Sequence, residues 1–324
     1  MKLIITGGTG LVGRRLVQKL LDPQGKTNSA IVEIQILSRQ AENALRREQP
    51  TLRDPRVRIA RKVQELDAYN NSYLVNLAGE PIADKRWSDS RKKQLVDSRV
   101  TLTQKLRQLF EHAKTRPKKI ISASAVGYYG YQNQDVTAFE EHPQGDGFSA
   151  KLCADWEQAA RSFTELAFQT AQPAITIMRL GVVLASPDRG GFLAKMRPLF
   201  RLGLGGPIGR GQQWINWIYI DDVVDFIISE LVQNDLREDN NAEITIHNLV
   251  SNNEIRQKDF AEIYADILNR PSFVPTPAPM MKLAFGEMAK ELILNGKRVK
   301  TSDSLTAKQR YQDIHEVLQL CEQR

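Results

Sequence analysis

Apolar residues fall along this chain in blocks of two kinds. Short runs rich in Val, Ile and Leu occupy residues 3–5, 31–37, 57–59, 73–79, 119–124, 174–184 and 243–249. Their length and composition predict β-strands, and the run at 73–79 reads as a buried strand ending in a turn. Longer stretches with helical spacing occupy 14–21, 88–112, 148–169, 223–232, 253–268 and 280–294. Ser88 stands where a side-chain oxygen can cap the helix that follows it. Strands and helices alternate through the first half, which predicts an α/β fold on a parallel, doubly wound sheet.

The second half is less regular. Glycines crowd residues 190–213, and Pro271, Pro275, Pro277 and Pro279 mark a loop. This pattern divides the chain into a core over 1–185, to which 214–250 return, and a smaller C-terminal cap of 186–213 and 251–324. A substrate cleft is expected between them.

The glycines near the start carry chemistry. Thr6 to Gly13 read T-G-G-T-G-L-V-G, directly after Leu3-Ile4-Ile5 and before a helical stretch. In that setting Gly7 permits a tight turn, Gly10 lets the backbone approach a ligand, and Gly13 lets the helix pack against the strand. The helix amides and its positive end then face a pyrophosphate, as in a Rossmann-type core. The residue ending the second strand sets the dinucleotide, because an acid there bonds a ribose hydroxyl whereas a base accommodates a 2′-phosphate. Here it is Ser38-Arg39, which favours NADP. The plainer reading of Arg39 is a solvated loop arginine.

Bulk properties narrow the classes. The chain has 324 residues, ample for a large core. No apolar stretch reaches the roughly 20 residues of a membrane span, and no signal-peptide pattern opens the chain. Two distant cysteines, Cys153 and Cys321, suggest no disulfide framework and fit a reducing, cytoplasmic setting. The four histidines show no metal-ligand spacing, so no metal is expected. Net charge is +7, with basic runs over 39–62 and 85–119. Such runs can attract nucleic acid, but no nucleic-acid-binding motif accompanies them, and solvated helix faces with an anionic cofactor account for them better.

Several segments together resemble one family. T-G-G-T-G-L-V-G and I-L-S-R look like an extended short-chain dehydrogenase/reductase. N-L-A-G-E-P-I-A-D-K-R-W (76–87) with D-S-R (97–99), S-A-S-A-V-G-Y-Y-G (122–130) and the glycine-rich 200–222 resemble its atypical, epimerase-like branch. That branch carries the names nucleoside-diphosphate-sugar epimerase and SulA-type cell-division inhibitor, the second shared with an unrelated SOS-response protein. The resemblance spans nearly the whole chain. It implies a Rossmann fold binding NADP(H), with contacts on Gly7, Thr9, Gly10, Leu11, Val12 and Gly13, on Ser38 and Arg39, on Leu77 and Ala78, on Arg99 and near Leu184. Arg99 reads equally well as a helix-surface ion pair. The chain departs from the family's usual ending at 301–314, which lacks its glycine and phenylalanines and leaves the last twenty-odd residues without an assigned role.

Hydride transfer in this superfamily uses a tyrosine with a lysine four residues later. No tyrosine here is followed by lysine at that spacing. Matching the helix at Trp156-Glu157 puts Ser149 and Cys153 in the two places. Candidate catalytic groups are then Ser124, with Ser122 as alternative, and Tyr128 or Tyr129, both equally compatible with plain packing. Arg210 is a candidate for an anionic substrate group. Asp221-Asp222 reads first as helix capping. The chain is thus expected to be an NADP-dependent oxidoreductase or epimerase acting on an unidentified small molecule. Its missing tyrosine–lysine pair keeps open a non-catalytic NADP(H)-binding regulator with a protein partner, as in cell division.

Overall fold

The computed structural model describes residues 1–25, 27–68, 72–113, 115–132, 136–166, 173–233, 243–306 and 308–323. Strands β1 (Lys2–Thr6), β2 (Glu33–Leu37), β3 (Val57–Ala60), β4 (Ser72–Asn76), β5 (Pro117–Ala125) and β6 (Ala174–Leu180) join a late strand, β10 (Ile244–Leu249), in one sheet. The order is β10-β6-β5-β4-β1-β2-β3, and every pairing is parallel. The chain runs outward from β1 to β3 and then returns to β4 on the other side. That reversal opens a crevice at the carboxyl ends of β1 and β4, where open α/β sheets bind ligands.

Side-chain alternation builds the layers. Leu3 and Ile5 of β1 face one buried cluster with Leu16, Val17 and Leu20 of α1 (Leu11–Leu20), whereas Ile4 faces the other with Leu74 and Ile120. Helix α2 (Glu42–Glu48) lies within the β2–β3 connection and packs on the first cluster through buried Leu45. Helix α3 (Asp89–Val96) runs through a π-turn (Asp97–Thr101) into α4 (Leu102–Ala113), which places Leu106 and Phe110 on the second cluster. Ser88 Oγ accepts from Arg91 N at 3.2 Å, the expected cap. Helix α5 (Phe148–Arg161) begins after Gly147, whose φ is +104°.

Several elements differ from the apolar pattern, each for a local reason. The run 174–184 is two strands, not one. Gly181 N still bonds Leu249 O, but Val182 N turns to Asn216 O at 2.7 Å. Strand β7 (Val182–Leu184) thereby leaves the main sheet for β9 (Trp217–Tyr219). Within the glycine-rich segment lies an unread helix, α6 (Gly191–Arg201), which tolerates Pro198 in its interior. Short β8 (Trp214–Ile215) pairs with β11 (Ile255–Arg256), so helix α8 (Gln257–Ile267) begins later than the 253 expected. The 280–294 helix breaks at Gly286 into α9 (Ala278–Phe285) and a π-turn (Ala289–Ile293). The 148–169 helix ends at Arg161, and its expected last residues, 167–169, lie outside the described residues.

Helix α7 (Ile220–Gln233) packs on α1. Arg15 donates to both oxygens of Asp221, at 2.6 and 2.9 Å, and Lys19 pairs with Asp225. Asp222 accepts from the amides of Arg310 and Tyr311 at 2.9 and 3.2 Å. The C-terminal segment passes through short α10 (Asp303–Thr306) and ends in α11 (Ile314–Gln323), whose Val317, Leu318 and Cys321 are buried in the large cluster. Among the described residues, no helix is long and apolar enough to cross a membrane.

Candidate cofactor and active site

The glycine turn is fixed by what a side chain would strike. Gly7 has φ +68°, and a Cβ on it would sit 2.6 Å from Leu77 O. A Cβ on Gly13 would overlap the Gly7 carbonyl. Gly10 differs: its Cβ would meet only Gly7 O, at 3.3 Å, with the remaining directions open. Arg14 N to Gly10 O is the first rung of α1, so the amides of Leu11, Val12 and Gly13 stand ahead of the helical ladder. Thr9 lies in the turn and lends its carbonyl to Arg14 Nη2 at 3.4 Å.

Behind the turn runs a buried polar chain. Thr6 Oγ1 donates to Asn76 Oδ1 at 2.6 Å and accepts from Ala78 N at 3.2 Å. Asn76 Nδ2 donates to Thr103 Oγ1 at 2.8 Å, and Thr103 Oγ1 donates to Arg99 O at 2.6 Å. This chain ties Leu77 and Ala78, both half-buried at the end of β4, to the π-turn that carries Arg99. Such π-turns frequently mark functional sites. The Arg99 guanidinium lies over Gly79, donates to Glu80 O at 2.9 Å and faces the Trp156 ring at 5.4 Å. No carboxylate among the described residues is within ion-pair distance of it, and burial holds it below its ordinary value. It stays charged nonetheless, as guanidinium groups do.

Ser38 is buried at the end of β2, and its Oγ accepts from Gln40 N at 3.4 Å. Arg39 is 86 % exposed and reaches across the crevice to Glu80 Oε1 at 2.6 Å. Glu80 also accepts from Arg91 at 3.2 Å. These contacts, Arg39 foremost, hold the Glu80 carboxyl below its usual range. Leu184 is fully buried in β7 and contributes packing rather than an exposed face. Several other basic residues of 39–62 are already paired, Arg46 with Glu42, Arg56 with Asp54 and Arg58 with Asp67.

The three candidate hydroxyls are placed differently. Ser124, 2 % exposed at the end of β5, donates to Glu157 Oε1 at 2.7 Å. Glu157 is held by Arg179 through bonds of 2.8 and 2.9 Å. Tyr129 is also buried. It donates to Asn248 Oδ1 at 2.7 Å and accepts from Arg179 Nη1 at 2.8 Å, and burial pushes its hydroxyl up to about 12. Tyr128 is half-buried, with the Arg179 guanidinium 3.5 Å from its ring centre and no hydrogen bond to its hydroxyl among the described residues. Ser149 and Cys153, expected from the sequence in the places of the tyrosine–lysine pair, both lie buried on α5. Ser149 Oγ donates to Glu291 Oε2 at 2.6 Å, and Glu291 also takes the amides of Phe148 and Ser149. Burial raises the Cys153 thiol to about 11. Arg210 is exposed, and the glycines before it admit close packing: a Cβ on Gly205 would overlap the Phe200 ring and one on Gly206 would overlap Val274 O.

Sequence reasoning had passed over Glu80, Glu157, Arg179 and Glu291. Glu80 lay within a quoted segment, but its partners are remote in the chain. Glu291 stands 142 residues from Ser149, and no local pattern joins them.

Comparison with known proteins identifies the family. The chain is 35 % identical over 303 residues to Epimerase family protein SDR39U1 homolog, chloroplastic, of Arabidopsis thaliana, covering 92 % of this chain and 80 % of that protein. The crystal structure of human epimerase family protein SDR39U1 (isoform 2) with NADPH superposes with a TM-score of 0.79 at 26 % identity, covering all of both chains. A UDP-galactose 4-epimerase structure, 16 % identical with a TM-score of 0.70 and covering 99 % and 98 % of the two chains, shares the fold. Residues 3–244 match the NAD dependent epimerase/dehydratase family, and the chain belongs to it.

Proposed function

We propose that this chain binds NADP(H) at the carboxyl ends of β1, β2 and β4 and acts as an epimerase-like oxidoreductase on a small molecule not yet identified. The observation that carries this reading is the open face of Gly10 at the first-turn amides of α1, where a Cβ would meet only Gly7 O, with Arg99 on the turn tied to β4 and within ion-pair distance of no carboxylate among the described residues. Such an array suits a pyrophosphate. The residues fit the dinucleotide: Gly7 to Gly13 would cradle the phosphates, Leu77 and Ala78 would lie beside the adenine, and Ser38 with Arg39 would receive the 2′-phosphate. The related human structure, with NADPH, supports the same choice. The substrate cleft lies between the core of 1–185 with 214–250 and the cap of 186–213 and 251–324. Two free, buried cysteines fit a reducing cytoplasmic setting.

NADP(H) held there would supply hydride chemistry, and the chain's own residues must then move a proton. Tyr128 is assigned that role, because the protons of Ser124 and Tyr129 are already committed to Glu157 and Asn248. Ser124 Oγ keeps a lone pair for a substrate hydroxyl. The test is loss of NADPH absorbance with a panel of carbonyl metabolites. Turnover that falls about 100-fold in Tyr128→Phe with unchanged NADPH affinity supports the assignment. Tight NADPH binding with no panel member consumed favours the second reading, a non-catalytic NADP(H)-binding regulator with a protein partner. That reading draws on Ser149 and Cys153 standing where the family's tyrosine and lysine do.

A further inference from the structure

A cavity of about 200 Å³ opens between residues 129–132, residues 142–146 and Lys297. Tyr129, His142, Asp146 and Lys297 are among its lining residues. Lys297 is only 8 % exposed, and its Nζ lies 3.0 Å from His142 Nε2. The neighbouring bases have counter-charges: Arg298 bonds Glu254 at 2.6 Å, and Lys300 lies 3.4 Å from it. Lys297 has no carboxylate within ion-pair distance among the described residues. Its one polar side-chain partner there is an imidazole, which offers a lone pair and no charge. An ammonium withdrawn from water needs a counter-charge, and a cavity beside it gives one room to enter.

We propose that Lys297 and His142 form a binding site for a small oxyanion, a phosphoryl or carboxylate group, which enters this cavity and accepts hydrogen bonds from both side chains. The site shares no residue with those assigned to the dinucleotide. While empty, the ammonium donates to Nε2, so the imidazole proton sits on Nδ1. Burial holds His142 and Lys297 below their ordinary values, and Lys297 lowers His142 further, against a small opposing effect of exposed Glu141. An oxyanion between them favours the imidazolium, so binding draws in one proton. Asp146 also lines the cavity and opposes anion entry, whereas the Tyr129 ring, 6.2 Å from the imidazole, is uncharged. Affinity therefore rises as pH falls through the imidazole range.

The experiment follows the His142 ring signals of the full chain by NMR, with phosphate or acetate replacing chloride at constant ionic strength. The expected result is a saturable shift with at least one oxyanion, tighter at lower pH. Lys297→Met weakens it about ten-fold or more and Lys297→Arg weakens it little, while NADPH affinity is unchanged in both variants. A response to phosphate alone assigns a phosphoryl source, and one to acetate alone a carboxylate. No shift with either ion, or equal affinity in Lys297→Met, overturns the proposal and leaves the cofactor reading intact. If Lys297→Met does not fold, calorimetry of phosphate or acetate with His142→Gln decides, because unchanged affinity overturns the site and about ten-fold weaker affinity supports it.

Discussion

At Gly13 a single methyl group decides whether the phosphate turn can close. Its Cβ would overlap the Gly7 carbonyl, which belongs to backbone and cannot swing away. Gly13→Ala should therefore weaken NADPH binding about ten-fold or more and lower stability by about 1–3 kcal/mol, measured by calorimetry and thermal melts. Arg39 and Glu80 pose a competition instead. The carboxylate holds the cation that the 2′-phosphate needs, but the arginine is 86 % exposed, so the pair is worth about 0.2–1 kcal/mol. Glu80→Gln should tighten NADPH by up to about five-fold, and Arg39→Asp should weaken NADPH far more than NADH. Equal effects of Arg39→Asp on the two nucleotides would remove Arg39 from the site. Cys153 gives a pH signature. Its thiol is raised to about 11, so the folded chain holds that proton more tightly than the unfolded chain. Its contribution is intact below the ordinary thiol pKa, is lost between that value and about 11, and declines by roughly 1.4 kcal/mol per pH unit within the window. Cys153→Ala should flatten that decline in urea titrations, and an unchanged slope would assign it to other groups.

Among the elements, the helix at 88–113 shows what sequence can and cannot disclose. Its start was legible because Ser88 is a local signal acting over three residues. The π-turn was not, because it rests on Thr103 reaching back to Arg99 O while also meeting Asn76 of another strand. Thr103→Val removes both bonds and keeps the shape. Stability should fall by about 1–3 kcal/mol, and NADPH affinity should fall with it if the turn aims Arg99 at the phosphates. A stability loss with unchanged affinity would make the turn purely structural. The same contrast covers the strands. The parallel sense of the sheet follows from strands alternating with helices, which sequence displays directly, whereas the order of its six pairings does not. The break at Gly181 follows from Asn216 crossing nearby, where a Cβ would stand 2.6 Å from Asn216 O. The glycine turn, Ser38 and Arg39 were readable as motif, whereas the partners of Ser124, Tyr129 and Ser149 come from strands and turns far along the chain.

At the scale of the molecule, the question is whether core and cap behave as two bodies. Chains beyond about 150 residues often unfold in steps, and a cap of separate segments invites that. The packing argues otherwise. One buried cluster contains Leu16 and Val17 of α1, Val223 and Ile227 of α7, Phe260 and Tyr264 of α8, and Val317 and Leu318 of α11. Polar ties reinforce it: Asp222 of α7 accepts from the amides of Arg310 and Tyr311 at 2.9 and 3.2 Å, and Asn248 Nδ2 donates to Lys300 O at 2.8 Å. The final helix, whose Val317 and Leu318 share that cluster with α1 and α7, thus helps to join the two parts. Its removal would expose the cap-side apolar face of α8 and leave Asp222 without a packed tail to hold. Leu318→Ala should lower stability by about 2–5 kcal/mol. It should do so in a single transition, because no boundary free of buried contacts separates cap from core. The measurement is urea unfolding followed both by far-ultraviolet circular dichroism and by the fluorescence of Trp87, Trp156, Trp214 and Trp217. Coincident curves in the parent chain and in Leu318→Ala are expected, whereas a fluorescence change that precedes the loss of helix would show that the cap opens on its own and that the shared cluster does not bind the two parts into one cooperative unit.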